Sequence, residues 1–204
     1  FEEMVKVGQQ HGIDFMLDMV LNHCSIEHEW FQKALAGDSY YQDFFILRDE
    51  PTDWLSKFGG SAWAPFGDTG KYYLHLFDVT QADLNWRNPN VRQELFNVVN
   101  FWRDKGVKGF RFDVINLIGK DEVLEDCPEN DGKPAYTDKP IVHDYLHMMN
   151  AATFGKDDSF MTVGEMSATT IENCILYTAP DRQELSMAFN FHHLKVDYEA
   201  GQKW

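Results

Sequence analysis

Apolar and polar residues alternate along the chain in two patterns, one typical of helices and the other of buried strands. Residues 1–11 carry apolar side chains at helical spacing, and Gly12 fits the end of such a helix. Residues 13–21 (IDFMLDMVL) then form an almost continuous apolar run, which is typical of a strand that is covered on both faces. The chain is therefore predicted to begin with a helix followed by a buried strand.

The same alternation returns after residue 87. Asn88 is a candidate helix N-cap, and Pro89 suits the first helical position that follows it. Further strands are predicted over residues 107–115, 160–166 and 185–191, with helices beginning near residue 140 and within the segment TTIENCILYT. Helices and short apolar strands in this order predict a parallel α/β sheet, either open and doubly wound or closed into a (β/α)8 barrel.

Residues 24–87 interrupt the alternation. Trp, Tyr, Gly, Pro and Asp are mixed there, and the segments DWLSKFGGSAWAP and GDTGKYYLHLFD combine turn signals with short strands. We therefore predict that residues 1–23 and 88–204 belong to one α/β domain. Residues 24–87 are predicted to form a loop-rich subdomain that is inserted after its first strand.

Composition narrows the class of protein. The 204 residues, 44% of them hydrophobic, allow one substantial core, and 18 basic against 33 acidic residues give a net charge of −15, which argues against nucleic acid or an anionic membrane as partner. No apolar run approaches the roughly 18 residues that cross a membrane. The scattered Cys24, Cys127 and Cys174 lack metal-binding spacing and suggest thiols in a reducing compartment. We expect a cytoplasmic protein with no metal or cofactor in this segment.

Polar and ionisable residues stand at the C-terminal end of every predicted strand. In chain order they are Asp18, Asn22 and His23, then Arg111 and Asp113, then Glu165, then His192, His193 and Lys195. In a parallel α/β barrel these strand ends form the reactive face. A buried ion pair would explain any one of these groups alone, but the same edge on four consecutive strands indicates an active site.

The carboxylates of Asp113 and Glu165 suit glycoside hydrolysis, which needs one ionised and one protonated carboxyl group. Arg111 lies two residues before Asp113 in a predicted strand, so both side chains share a face and the positive charge favours the ionised Asp113. Glu165 has no basic neighbour along the chain and lies in an apolar strand, which suits its protonated form. A separation of about 5 Å between the two groups would indicate a retaining mechanism, and several Å more an inverting one.

Four segments resemble, in order, four sequence blocks of the α-amylase family of glycoside hydrolases (family 13). They are DMVLNH (18–23), QADLNW (81–86), GFRFDVIN (109–116) and MTVGEM (161–166). The resemblance implies a (β/α)8 barrel, of which this chain would supply strands 3–6, with the inserted subdomain after strand 3. It also implies a retaining α-glycosidase.

The resemblance assigns a role to each matching residue. By position, Asp113 would be the nucleophile, Glu165 the general acid/base and Arg111 the residue that orients the nucleophile. Asp18 and His23 would shape the sugar subsite, and Val114 would be a further substrate-binding residue.

Within the family, QADLNW and the Val114 that follows the nucleophile resemble the oligo-1,6-glucosidase subfamily. The segment after residue 160 is most similar to the phospho-α-glucosidases, which implies hydrolysis of trehalose 6-phosphate to glucose and glucose 6-phosphate. His192, Lys195 and Lys203 would then bind the phosphate, because basic groups on the rim of an acidic protein suit a phosphorylated sugar. Alternatively, these lysines are ordinary solvated loop residues.

Two further interpretations stay open. One is an oligo-1,6-glucosidase or exo-α-glucosidase that acts on neutral oligosaccharides, and the other is a non-catalytic homologue whose barrel serves as a binding module. The family places a third catalytic carboxylate on the seventh strand, and no such block follows residue 166. We therefore expect the isolated 204-residue chain to be inactive and the full-length parent protein to carry the activity.

Overall fold

The computed structural model describes residues 1–128 and 131–191. The helices are α1 (Glu2–Gln10), α2 (Glu29–Leu35), α3 (Ser39–Gln42), α4 (Pro89–Asp104), α5 (Lys133–Tyr136), α6 (Ile141–Ala152) and α7 (Ile171–Thr178). The strands are β1 (Met16–Val20), β2 (His23–Ser25), β3 (Leu47–Arg48), β4 (Trp63–Pro65), β5 (Tyr72–Leu74), β6 (Gln81–Asp83), β7 (Gly109–Asp113), β8 (Met161–Met166) and β9 (Met187–Asn190).

A parallel sheet with the strand order β1-β7-β8-β9 forms the centre of the molecule. Helix α4 precedes β7, α6 precedes β8 and α7 precedes β9, so a helix makes each crossover that parallel pairing requires. Within this sheet, the strands lie side by side in the order in which they occur along the chain, as in the wall of a (β/α)8 barrel. The predicted α/β class is confirmed, and within the described residues β1 and β9 are the two edges of this wall.

Helix α4 follows the predicted pattern closely. The Asn88 side chain accepts a hydrogen bond from the backbone N–H of Asn90 at 2.9 Å, and Pro89 occupies the first helical position. Its apolar stripe, which includes the fully buried Val91 and Val99, packs into the main core. Burial of a side chain of this size contributes about 1.5–3 kcal/mol relative to leaving it in water.

The strand predicted over residues 107–115 ends earlier, at Asp113. Val114 adopts a left-handed backbone conformation (φ 37°, ψ 42°), and a short 3₁₀ turn over Ile115–Leu117 follows it. Such a conformation cannot continue a strand. The apolar run Val114–Ile115 therefore belongs to a turn, a distinction that hydrophobicity alone does not make.

The inserted segment contains two small antiparallel arrangements, the pair β2-β6 and the sheet β3-β5-β4. It also contains α2 and α3, which the sequence pattern did not predict. Each short helix begins at a side chain that accepts a backbone N–H bond, His28 from Trp30 and Asp38 from Tyr40. Local capping therefore adds helical turns to a segment whose composition is typical of loops.

The segment after β7 packs against the insert. Trp54 Nε1 donates to the Glu125 carbonyl at 2.8 Å, Arg48 Nη1 donates to the Leu124 carbonyl at 2.8 Å, and the Trp54 ring lies 5.7 Å from that of Tyr136. These contacts join residues 24–87 to a loop of the α/β domain. The division into residues 1–23 plus 88–204 and residues 24–87 stays a prediction.

A buried ion pair also connects the insert to the sheet. Lys120 Nζ lies 2.9 Å from Asp83 Oδ2, and the two side chains are 5% and 0% exposed. Lys120 also donates to Asn22 Oδ1 and to the Leu117 carbonyl at 3.0 Å each, and Asn22 Nδ2 donates to Asp83 Oδ2 at 3.0 Å. Buried charges persist only when they are paired and hydrogen-bonded, as both are here. The network holds the end of β1, the insert and the loop after β7 together.

Replacing Lys120 with Met should lower the free energy of unfolding by about 3–5 kcal/mol, because it leaves the Asp83 carboxylate buried without its cation. Urea unfolding of wild type and variant measures this difference. The double variant Lys120→Met/Asp83→Asn should recover most of the loss. Lys33→Met, which removes an exposed ion pair with Glu29, should cost at most about 1 kcal/mol. Equal effects of Lys120→Met and Lys33→Met would contradict the role of the buried pair.

Candidate active site

One guanidinium group gathers three carboxylates at the C-terminal ends of β1, β7 and β8. Arg111 Nη1 donates to Asp113 Oδ1 at 2.8 Å and to the two carboxylate oxygens of Asp18 at 2.7 and 2.9 Å. Arg111 Nη2 contacts Glu165 Oε2 as an ion pair. The structure therefore brings Asp18, Arg111, Asp113 and Glu165 together, as the sequence predicted for residues at these strand ends.

Strand register explains this assembly. Asp18 on β1 is paired with Arg111 on β7, and Arg111 is paired with Val163 on β8. Asp113 and Glu165 lie two residues further along β7 and β8, so side-chain alternation returns both to the face that Arg111 occupies. Three neighbouring strands thus present charge to one point.

The surroundings of Arg111 favour its positively charged form. Burial acts to lower the pKa of its guanidinium, but the hydrogen bonds and charges of Asp18 and Asp113 outweigh burial and raise the pKa above its ordinary value. The Arg111 and Asp113 side chains are 26% and 24% exposed, whereas that of Asp18 is 59% exposed. Arg111 and Asp113 thus form the sheltered part of the cluster, and Asp18 lies at its rim.

Glu165 is more enclosed than the other two carboxylates, with 11% of its side chain exposed. Its Oε2 atom is buried and makes no hydrogen bond of normal geometry, so Arg111 is its charged contact. The sequence shows no basic residue beside Glu165, but the sheet register supplies one from β7. This cross-strand neighbour is the feature of Glu165 that sequence analysis missed.

His23 is the first residue of β2, three residues beyond the end of β1, and is almost fully buried. Its ring nitrogens lie 3.3 Å from Asn22 Nδ2 and 3.1 Å from Gln81 Nε2, and its ring is 5.2 Å from that of Phe77. Burial is the main reason that the pKa of His23 lies below its ordinary value, although nearby Asp83 and Asp113 oppose the shift. His23 is therefore a neutral hydrogen-bonding group. With Gln81 and Asp113 it lines a cavity of about 620 Å³.

Val114 follows Asp113 but lies within the protein. Its side chain is 6% exposed and belongs to a buried cluster that includes Trp63, Leu76 and Leu117. A left-handed conformation at a residue other than glycine costs about 1–2 kcal/mol, which this packing offsets. Val114, predicted as a substrate-binding residue, thus packs inside the protein beside Asp113 and fixes the turn of the chain.

Asn116 connects the two strand ends that carry Asp113 and Glu165. Its Oδ1 accepts from the Ser167 backbone N–H at 2.9 Å, and its Nδ2 donates to the Ser167 carbonyl at 2.8 Å and to Asp138 Oδ1 at 2.9 Å. Sequence analysis did not select Asn116. The signal that could have identified it is its position as the one polar residue of the apolar run VINLIG, where the structure buries it fully.

All three predicted phosphate contacts, His192, Lys195 and Lys203, lie outside the described residues. In the described part of the chain, no group of three or more His, Cys, Asp or Glu side chains is arranged to hold a metal ion. No helix described by the structure is long and apolar enough to cross a membrane.

Comparison with known proteins gives consistent results. The family model described as alpha amylase, catalytic domain, matches residues 1–204. Trehalose-6-phosphate hydrolase of Bacillus subtilis (strain 168) is 52% identical over 100% of this chain and 37% of the relative. Oligo-1,6-glucosidase of Parageobacillus thermoglucosidasius is 44% identical over 100% of this chain and 38% of the relative.

Solved structures of similar enzymes superpose closely on this chain. The crystal structure of Bacillus licheniformis trehalose-6-phosphate hydrolase superposes with a TM-score of 0.94 at 53% identity, over 100% of this chain and 38% of that chain. Isomaltulose synthase from Klebsiella sp. LX3 has a TM-score of 0.90 at 32% identity, again over 100% of this chain and 38% of the other. The chain thus spans a little over a third of the length of these relatives.

Lowering the pH should destabilise the wild type relative to a His23→Gln variant. Because the pKa of buried His23 lies below 6.5, the unfolded chain takes up a proton that the folded chain resists. The free energy of unfolding contributed by this residue therefore falls as the pH drops below about 6.5. Urea unfolding at pH 7.5 and pH 5 measures the effect. The surface variant His11→Gln is the control, and parallel pH dependence of wild type and His23→Gln would contradict it.

Proposed function

Since this chain belongs to the α-amylase family and forms part of its catalytic (β/α)8 barrel, we propose that it is the catalytic core of a retaining α-glycoside hydrolase. The substrate proposed for the full-length protein is trehalose 6-phosphate, hydrolysed to glucose and glucose 6-phosphate. The observation that carries this proposal is the contact of one guanidinium, that of Arg111, with both Asp113 and Glu165.

In the proposed reaction, Asp113 attacks the anomeric carbon of the sugar while Glu165 donates a proton to the glycosidic oxygen. The glycosyl–Asp113 ester is then hydrolysed by a water molecule whose proton Glu165 accepts. A retaining mechanism needs the two carboxyl groups about 5 Å apart, and their contact with a single guanidinium supports such close spacing. Arg111 donates a hydrogen bond to Asp113 Oδ1 at 2.8 Å and thereby orients this carboxylate for attack.

The remaining residues have supporting roles in this proposal. Asp18, at the exposed rim, and neutral His23, beside the nucleophile, bind sugar hydroxyl groups. Glu165 contacts the same guanidinium as Asp113, so it lies close enough to the proposed nucleophile to act as the acid/base on the same glycosidic bond. A non-catalytic binding module would have no need for Asp113, Glu165 and Arg111 in this arrangement.

The choice of trehalose 6-phosphate rests on similarity to trehalose-6-phosphate hydrolases at about 52% identity over the whole chain. Two oligo-1,6-glucosidases match at 44% and 40% identity, so a neutral α-1,6-linked oligosaccharide is the second candidate substrate. The proposed partner is thus a sugar or sugar phosphate. A cytoplasmic location stays a prediction from the cysteine pattern.

Trehalose 6-phosphate should give the highest kcat/KM when the full-length protein that carries this chain is assayed side by side on trehalose 6-phosphate, trehalose and isomaltose. Asp113→Asn should abolish turnover of all three, because it removes the nucleophile while keeping its shape. A preference for isomaltose, or equal rates with and without the phosphate, would overturn the proposed substrate.

The predicted phosphate contacts Lys195 and Lys203 are tested in the same assay. Replacing both with Ala should lower the ratio of kcat/KM for trehalose 6-phosphate to that for trehalose, because a charge-assisted hydrogen bond contributes roughly 1.5–3 kcal/mol. A change of less than about twofold in this ratio would exclude them, since twofold is well below the roughly tenfold that 1.4 kcal/mol represents.

A further inference from the structure

Lys57 and Lys133 line a cavity of about 260 Å³ that lies directly beyond Glu165. Its remaining lining residues come from the segment that follows Glu165 and from the end of β9: Met166, Ser167, Ala168, Thr169, Asn190 and Phe191. We propose that this cavity binds the phosphate group of the substrate, with Lys57 and Lys133 as its cationic contacts. This inference rests on the proposed function and extends it to residues that the comparisons do not assign.

The charge of the cavity sets it apart in a strongly acidic protein. The chain carries a net charge of −15, and four other cavities each include at least one carboxylate, in turn Asp113, Asp43, Asp157 and Asp121. Among the described residues that line this cavity there are two ammonium groups and no carboxylate. A phosphate, which carries nearly two negative charges at neutral pH, would be repelled from the four acidic cavities and attracted to this one.

Lys57 lies between the segment that follows Glu165 and the aromatic ring of Phe77 in the insert. Its Nζ is 3.4 Å from Ser167 Oγ, two residues beyond Glu165, and 6.0 Å from the centre of the Phe77 ring. Phe77 in turn contacts His23, which lines the same cavity as Asp113. The ammonium group therefore lies beside the sugar-binding region on the side of the general acid. Glu165 protonates the leaving group, and in trehalose 6-phosphate hydrolysis the leaving sugar can carry the phosphate.

Lys133 enters the cavity from the loop that packs on the insert. Gly132, immediately before it, has a left-handed φ of 63°, and a Cβ there would lie 2.3 Å from the Trp54 ring. This close approach to a buried Trp fixes the turn from which α5 and Lys133 emerge. The position of Lys133 is therefore set by the docking of the loop against the insert.

Asp131 forms an ion pair with Lys133 and feels the charge of Lys57, but it does not line the cavity. Burial acts to raise the pKa of its carboxyl group, but the hydrogen bonds and charge of Lys133, together with the charge of Lys57, outweigh burial and lower that pKa. Lys133 Nζ lies 2.8 Å from Asp131 Oδ2 while half of the Lys133 side chain is exposed. Exposed ion pairs of this kind contribute at most about 1 kcal/mol, so a doubly charged phosphate can compete for Lys133.

The hydroxyl-bearing wall of the cavity is held in place. Both backbone polar groups of Ser167 are bound by the Asn116 amide, and Ala168 turns the chain with a left-handed φ of 52°. Ser167 and Thr169 thus present hydroxyl groups from a fixed segment, and hydroxyl donors complement lysine in phosphate binding. A preorganised wall reduces the entropy cost of ligand binding.

The experiment measures the phosphate preference of the full-length protein, defined as kcat/KM for trehalose 6-phosphate divided by kcat/KM for trehalose. Lys57→Gln/Lys133→Gln should lower this ratio at least tenfold, about the effect of losing one charge-assisted hydrogen bond. Lys57→Arg, which keeps the charge, should retain most of the preference. Lys71→Gln, at an exposed lysine of the insert, is the matched control and should leave the ratio unchanged.

The possible outcomes separate a failure of the proposed phosphate site from a failure of the proposed substrate. If the wild type prefers trehalose 6-phosphate and the double variant keeps that preference, the phosphate binds elsewhere and the function stands. If the wild type does not distinguish the two sugars, the proposed substrate fails and this site fails with it. Equal losses on both sugars in the double variant would mean structural damage to the active site and would contradict a role confined to phosphate binding.

Discussion

A single cation makes the charged edge of the sheet possible. Three carboxyl groups, those of Asp18, Asp113 and Glu165, converge on Arg111, and without it the two largely sheltered ones, Asp113 and Glu165, would lie close together with no cation between them. The parallel register is what allows one guanidinium to reach all three. The requirements of folding and of the proposed chemistry therefore coincide, because the cation that compensates the charge of this edge also orients Asp113, the proposed nucleophile.

A second cation, the buried Lys120, likewise compensates a carboxylate where the insert packs against the α/β domain. It pairs with Asp83 and shares Asn22 with it, directly before His23 on the chain. His23 stays neutral between these two charged networks and contacts Phe77 of the insert. The proposed sugar-binding region is thus formed jointly by strand ends and insert, so its geometry depends on how the insert packs against the sheet.

The sequence was informative wherever structure depends on neighbouring residues. Periodicity located β1, β7, β8, β9 and the helices α4, α6 and α7, and alternation within GFRFDVIN placed Arg111 and Asp113 on one face, as observed. It did not locate the Arg111–Glu165 contact, which depends on the register of β7 with β8. Lys120 and Lys57 were missed for a related reason, since their partners are brought to them by the docking of the insert, which no local pattern encodes.

The central claim is that Asp113 forms a covalent bond to the sugar, and trapping that intermediate tests it most directly. A fluorinated α-glucosyl fluoride that forms the ester quickly and hydrolyses slowly should be incubated with the full-length protein, which is then digested for peptide mass spectrometry. The account predicts one added glycosyl group on the peptide that contains Asp113, and none in an Asp113→Asn variant. A label on a different residue, or turnover with inversion of the anomeric centre and no labelled peptide, would contradict it.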